Sequence, residues 1–590
     1  MEDMLFLEQL NPQQKKVCIE GSNILLKACP GSGKTRTLTY KLAYIIKKYE
    51  LSKKINIAIT YTNRAADEIR ERLEKMDIPE DKVWVGTIHQ FCLEFIIRPY
   101  TMYHNRLKKG YHIIDEYVQS QYVDEIVKNL GIDIGYNKPF DFPEIVNKYE
   151  EKLLAEKEID FNDILKISFE LVKTCPFIAE NIGGVTRSIL VDEYQDTNEL
   201  QYGILGCIVS ANKKILLTFV GDTDQAIYGA LGGIAKTSEE LELEFGVAFK
   251  EEKLDGCYRT TQRIINYYSN FQLKYVPIYA VSEFKNEMGC LVYNNTINKT
   301  DLFEGIAQIV KRRIFEGIPE NEICIIAPQW WLLFPLSKQM KTLLPDVKFD
   351  APDITPIKYD PMNVFFLFSR LLFTEPGKKT WIRKKIANEI VEILSEEYKI
   401  KLPEKVDTFM ILKVVNSLLC EEENGLDYLQ KSIIKFFHIF EVNLSQEQSL
   451  QKSYNSFIAK INDRVERYDL STSIDTFKQC FKEKEGVVIN TFHGVKGEEY
   501  DTVIAFGILN GYIPHWDTIC RQSKQYREDE TKKMLYVVCS RAKKNLYLFS
   551  EQGRTTLNGK PLTSTDEMVA IEFEFDEFQI EDIFTKMEKL

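Results

Sequence analysis

The stretch ILLKACPGSGKTRTLTYKLAYII, residues 24–46, limits the choice of fold more than any other part of this chain. A short apolar run leads into a loop holding Gly31 and Gly33, and an amphipathic segment of helical period follows at once. This pattern predicts a strand, a tight turn and a helix. The two glycines let successive backbone N–H groups turn inward around phosphate oxygens, with the helix N-terminus behind them. Lys34 would then reach the β- and γ-phosphates of a nucleotide, and Thr35 would hold Mg²⁺. Ala28 stands where the pattern usually has its first glycine.

A chain of 590 residues is too long for one core and should divide into several domains. Runs of strand length recur: SNILLKA, INIAITYT, VWVGTI, RSILVDE and KILLTFV, then EICIIAP, GVVINTF, YDTVIAFG and KNLYLFS. They are nearly continuous in apolar residues, as buried parallel strands of α/β layers are. Between them, near 96–182 and 371–484, the chain is helical in character and rich in Leu, Ile, Lys and Glu. The reading is two α/β cores, each interrupted by a helical insertion.

A second element strengthens the nucleotide reading. SILVDEYQDTN ends an apolar run with Asp192 and Glu193. Adjacent carboxylates at a strand's C-terminal end suit a Mg²⁺ ligand followed by a base or orienter for the attacking water. A solvated acidic turn is the bland alternative, and the coexistence of both features argues against it. Phosphoryl transfer also needs a cation at the developing charge, and Arg259 in LDGCYRTTQ and Arg541 in YVVCSRAKKNL are the candidates. Beside them, FVGDTDQAIYGALGG (219–233) places Asp222, Asp224 and Gln225 after another buried run and then dissolves into glycines.

Bulk properties exclude some classes. The longest apolar run, MNVFFLFSRLLF, is broken by Arg370, and the acidic N-terminus MEDMLFLEQL lacks the charge of a signal peptide, so no membrane segment and a cytoplasmic location are expected. Twelve cysteines without a CxxC pair indicate neither a zinc site nor a disulfide framework. A net charge of −12 argues against coating nucleic acid through bulk charge, but leaves room for a local basic groove.

Taken in order, these and other stretches resemble the UvrD/Rep/PcrA-like DNA helicases of superfamily 1. LNPQQ (10–14) is similar to the family's Q motif, ITYTNRAADEIRERL (59–73) to motif Ia and VGTIHQFC (85–92) to motif Ib. VDEYQDT resembles motif II, VGDTDQAIY motif III and YRTTQ (258–262) motif IV. TFHGVKGEEYD (491–501) follows as motif V, GYIPH (511–515) as the stretch usually written GLFPH, and YVVCSRAKK as motif VI. The resemblance implies two RecA-like parallel-sheet P-loop NTPase cores, the first over 1–95 and 183–256, the second over 257–370 and 485–555. It implies a helical accessory insertion at 96–182, a reduced one at 371–484, and an acidic-aromatic tail at 556–590. The activity implied is ATP-driven 3′→5′ movement on single-stranded DNA and unwinding of tailed duplex.

Residue by residue, the resemblance makes Lys34, Asp192, Glu193, Gln225, Arg259 and Arg541 catalytic, with Thr35 and Asp192 holding Mg²⁺. Gln14 would read adenine and Tyr258 stack on it, while Gly31, Ser32, Gly33, Thr35, Arg36, Gly497 and Glu499 would complete the ATP site. Tyr61, Thr62, Asn63, His89, Tyr228 and His493 fall at positions that touch DNA or brace its path, as Glu499 also does. The histidines are equally readable as core residues.

The chain departs from the family after Tyr228, where Ala230 and Leu231 replace the family's Trp and Arg. One lost aromatic platform costs about 1–3 kcal/mol of base stacking. Tyr500 replaces a usual Phe. The tail is too short for a nuclease domain, so DNA cleavage would come from a partner. It could itself be a docking strand, a docking helix or a frayed end. A second reading is therefore a DNA-activated ATPase switch that licenses a partner such as a nuclease, as in Gabija-like antiviral pairs. An RNA-directed enzyme is a third.

Overall fold

A computed structural model describes residues 2–135, 137–229, 232–351, 355–377, 380–400, 402–403, 406–418, 422–482, 485–556 and 558–578. Two compact units emerge: Met1–Ile88 with Ala179–Ala351 and Lys484–Leu590, and His89–Ile178 with Pro352–Glu483.

The first unit is built on two six-stranded sheets, parallel throughout. One comprises β1 (Ile24–Ala28), β2 (Ile55–Thr60), β3 (Val83–Thr87), β4 (Thr186–Asp192), β5 (Leu216–Gly221) and β6 (Lys250–Leu254), in the order β3-β2-β4-β5-β1-β6. The other comprises β7 (Cys290–Asn294), β8 (Ile323–Ala327), β9 (Phe349–Asp350), β10 (Val487–Thr491), β11 (Tyr500–Ala505) and β12 (Ala542–Phe549), in the order β7-β12-β11-β8-β10-β9. Each of the nine strand-length runs quoted above contains a strand, whereas the longest apolar run, MNVFFLFSRLLF, contains the helix Val364–Leu372. β8 is buried at every position, which is why its sequence carries no alternation: helices cover both faces of a parallel sheet. β6, with sequence KEEKL, lies at an edge with three of its five residues exposed. Its charges blunt an unpaired edge and hide its strand character in the sequence.

The second unit gathers both helical insertions. A phenylalanine-rich core that includes Phe365, Phe366, Phe368, Phe436 and Phe437 fills the later one, and a smaller cluster around Ile145, Tyr149 and Leu153 fills the earlier one. The helix Val364–Leu372 belongs to this core, so the unit begins at Pro352 and takes in the end of the segment 257–370. Ion pairs join the two insertions: Arg98 with Glu392 and Glu397, both at 3.1 Å, and Lys452 with Glu158 at 3.0 Å.

Among the described residues no helix is long and apolar enough to cross a membrane, the cysteines are free thiols, and no His, Cys, Asp or Glu cluster could hold a metal on its own.

Candidate nucleotide and nucleic-acid site

In open parallel sheets, ligands bind beyond the carboxyl ends of the strands. Three adjacent strands, β4, β5 and β1, end together here. β1 runs into the loop Cys29–Gly33 and then into the helix Lys34–Lys48. Gly33 caps that helix in the left-handed region at φ 79° and makes no side-chain cap. The first-turn N–H groups are thus available to an anion. Gly31 is also left-handed, and a Cβ there would lie 2.6 Å from Arg259 Cβ and 2.9 Å from Cys257 Sγ. Only glycine lets the loop pass so close to the second core. The contact is direct, since the Tyr258 N–H donates to the Gly31 carbonyl at 2.8 Å. A Cβ on Gly33 would meet Gln14 Nε2 at 2.9 Å.

The neighbouring residues are tied into this loop. Ser32 is buried, and its hydroxyl donates to the Cys29 carbonyl at 2.7 Å. Gln14 donates to the Ser32 carbonyl at 3.0 Å and accepts the Asn11 N–H in a reciprocal cap. Asn11 in turn donates to the Tyr258 hydroxyl, and Tyr258 keeps 45% of its surface exposed. Arg36 donates to the Gln9 carbonyl at 3.0 Å.

At the end of β4, Asp192 Oδ2 accepts the Thr35 hydroxyl at 2.8 Å. Burial, then the adjacent Glu193 charge, push Asp192 above the usual carboxylate range. Glu193 is half-buried, but Lys34, its Nζ 3.9 Å away, together with Lys496 outweighs the cost of desolvation and holds it below its ordinary value. Glu193 sits at φ 51°, a left-handed backbone for a residue that is not glycine, of the kind that collects at functional sites. Gln195 holds its other oxygen.

From the end of β5, Gln225 donates to Asp222 Oδ2 at 2.7 Å and accepts Arg541 Nη2 at 2.9 Å. Arg541 comes from the second core. It is 1% exposed and also donates to the Val537 carbonyl at 2.9 Å, the Glu498 carbonyl at 3.1 Å and Ser540 Oγ at 3.0 Å. Burial first, then the charge of Arg259, bring its pKa down to about 9. Arg259 pairs with Glu499 at 2.8 Å and donates to the Ser540 carbonyl at 2.7 Å. Gly497 adopts φ 83° with open space where a Cβ would stand, so its backbone angle alone calls for glycine.

A residue that the sequence reading passed over also bridges the cores. Lys496 donates to buried Asp196 at 2.5 Å and to the Gln225 carbonyl at 2.7 Å. Its place within HGVKGEEYD, just after a buried strand, was the only available signal.

On the neighbouring face Tyr61 and Tyr228 stack at 4.7 Å, with His493 5.8 Å from Tyr228 and Lys496 Nζ 4.9 Å from the Tyr228 ring. The Thr62 hydroxyl caps the helix Asn63–Glu74 by accepting the Ala65 N–H. Ala230 and Leu231 lie outside the described residues. The glycines beside them have a packing reason: a Cβ on Gly233 would approach the Asp196 backbone at 3.1 Å, and one on Gly229 would approach Glu530 Oε1 at 3.2 Å.

His89 belongs to the second unit, edge-on to Phe161 at 5.6 Å. Burial lowers its pKa to about 4, and burial with Lys452 and Lys157 does the same to His112. Both are neutral at pH 7, so His89 offers a phosphate no charge. A folded pKa below the unfolded value makes unfolding take up protons. The stability these histidines contribute is present above pH 6.5 and lost as pH falls toward 4. Thermal melts over that window should show His89→Gln less acid-sensitive than wild type, by up to about 1.4 kcal/mol per pH unit. Equal slopes would contradict the assignment.

Two family models match the chain: the UvrD/REP helicase N-terminal domain over residues 10–140 and 135–245, and the UvrD-like helicase C-terminal domain over 382–553. The chain belongs to the UvrD/Rep helicase family. ATP-dependent DNA helicase PcrA of Staphylococcus aureus (strain Mu50) is 24% identical over 94% of this chain and 85% of its own. PcrA of Bacillus subtilis (strain 168) is 30% identical over 33% of this chain and 30% of its own. ATP-dependent DNA helicase UvrD1 of Mycobacterium leprae is 29% identical over the same shares. As a UvrD/Rep-family chain, the protein keeps both halves of the family's core.

Proposed function

We propose that this chain is a 3′→5′ translocase and helicase on single-stranded DNA, powered by hydrolysis of Mg-ATP between its two parallel-sheet cores. Family membership gives the coarser statement, an ATP-dependent DNA helicase. One observation carries the placement of hydrolysis between the cores: Arg541 of the second core is hydrogen-bonded to Gln225 of the first, beside the phosphate loop and the acid pair. A site composed of both cores can turn hydrolysis into relative movement.

In this reading the loop amides and Lys34 hold the β- and γ-phosphates. The Thr35 hydroxyl and Asp192 carboxylate are hard oxygen donors of the kind Mg²⁺ takes, few in number because that ion keeps its waters. When bound there, it neutralises charge on the phosphates. Glu193, kept ionised by Lys34 and Lys496, orients the attacking water and accepts its proton. Arg259 and Arg541 stabilise charge as the γ-phosphoryl group leaves ADP. Gln225, joined to Asp222 and Arg541, reports the state of the γ-phosphate to the second core. Closure on ATP then follows from better contacts in the closed state. DNA bases stack on Tyr61 and Tyr228, which read no sequence because every base has a π-face. A cytoplasmic location accompanies this reading.

Strand displacement by the protein alone tests the direction. A duplex with a 3′ tail should be unwound in the presence of ATP, and one with a 5′ tail should not. Hydrolysis without displacement of either duplex would favour the partner-dependent switch, a reading supported by Ala230 at the position of the family's Trp.

A further inference from the structure

The acidic-aromatic tail stands outside the ATP site, yet its described part grips the element that leads out of motif IV. From Ile571 to Phe578 the Phe573, Phe575 and Phe578 side chains are half-buried, while Glu572, Glu574 and Glu577 are exposed. Phe573 and Phe575 pack edge-on against Tyr267 at 5.2 and 5.4 Å, and Phe578 packs against Phe549 at 5.3 Å. Asp576 is the anchor. Its N–H donates to the Leu291 carbonyl and its carboxylate accepts the Leu291 N–H, both at 2.8 Å, so Asp576 ties the tail to the edge strand β7. The same carboxylate takes Arg263 in a two-pronged pair at 2.9 and 3.0 Å, and Arg263 also donates to the Glu574 carbonyl at 2.9 Å.

Arg263 and Tyr267 lie one turn apart on the helix Gln262–Tyr268, capped by Thr261. Tyr258 and Arg259 precede that cap by two or three residues. From the sheet side, Thr260 is held by its hydroxyl donating to the Lys543 carbonyl at 2.9 Å. The tail supplies the opposite restraint. Tolerance at the far end is small, because the Gly31 loop passes against Arg259 with no room for a Cβ.

We propose that Ile571–Phe578 is a positioning clip: Asp576 through Arg263, and Phe573 and Phe575 through Tyr267, fix the helix Gln262–Tyr268 so that Tyr258 and Arg259 keep their place beside the phosphate loop. The proposal rests on the reading of Arg259 as a cation of the hydrolysis step. Asp576 and Arg263 are positioning residues and touch no substrate.

The test is steady-state ATP hydrolysis with a saturating single-stranded oligonucleotide, for wild type, Asp576→Ala, Arg263→Gln, Arg259→Ala and the double variant Asp576→Ala/Arg259→Ala. Misplacement by an ångström is enough to cost catalysis heavily, so the two clip variants should each lose about tenfold in kcat through Arg259, with a rise in the KM for ATP as Tyr258 shifts. In the Arg259→Ala background Asp576→Ala should cost nothing further in kcat, a non-additivity that a general loss of stability would not give. Should Asp576→Ala fail to fold, Phe573→Leu provides the same comparison. Unchanged kcat in the clip variants beside an impaired Arg259→Ala, or fully additive losses, would overturn the clip alone. Wild-type hydrolysis by Arg259→Ala would overturn the reading of Arg259, and the clip with it.

Discussion

Lys34→Ala is expected to lower ATP hydrolysis by roughly 10²–10³-fold, the loss seen when one preorganised charge-stabilising donor is removed from an active site. The side chain is nearly enclosed and its ammonium lies 3.9 Å from Glu193. It is also the first of the charges that hold Glu193 low, and one of the influences that oppose the rise of Asp192. Without it the paired carboxylates face each other across a buried site with less compensation. The substitution thus removes a phosphate contact and raises the proton affinity of the base that remains. Hydrolysis assays with single-stranded DNA check this, alongside thermal melts showing that the variant is folded. Retention of near-wild-type turnover would mean that the loop binds no reacting phosphate.

Arg541→Ala should damage both stability and catalysis. The guanidinium donates to the buried Val537 carbonyl, Ser540 hydroxyl and Gln225 Oε1, and to the part-buried Glu498 carbonyl. Its removal leaves Gln225 Oε1 without its donor in the interior, at about 1–3 kcal/mol, while the Val537 carbonyl keeps the Ser540 hydroxyl, so the melting temperature should fall. Hydrolysis should fall by about 10²-fold or more through the lost cation. Arg541→Lys separates the two effects. It keeps a charge, but a single ammonium cannot serve four acceptors spread around a planar fork, so the lysine variant should recover part of the stability and little of the activity. Gln225→Ala in the same background should show strong non-additivity, since the pair is in direct contact. Independent effects would contradict a shared role.

What the sequence disclosed follows from physical necessity. A buried parallel strand must be apolar on both faces, so the runs ending at Ala28, Asp192 and Gly221 could be recognised, and with them the loop and acid pair at their carboxyl ends. The Gly31 and Gly33 turns were legible because few other residues adopt those backbone angles. Other features left little trace. β6 reads as a charged surface segment, since an edge strand needs little apolar cover. Val364–Leu372 reads as the end of a core and packs instead with the second unit, because an apolar run does not name the partner it packs against. The pairs Asn11–Tyr258 and Lys496–Asp196 join residues distant along the chain, and polar side chains that pair in the interior look in sequence like any solvated ones. The tail was open between a docking strand, a helix and a frayed end. Its alternation of Phe and Glu suits an extended segment with one face covered, but only the fold brings Arg263 and Leu291 to Asp576.

The central claim is that both cores form one ATP site whose turnover is governed by single-stranded DNA. The most direct measurement is the rate of ATP hydrolysis by the purified chain with and without a single-stranded oligonucleotide. Stimulation by DNA, absent in Lys34→Ala, is the predicted result. Hydrolysis indifferent to DNA, or unaffected by the loss of Lys34, would contradict it.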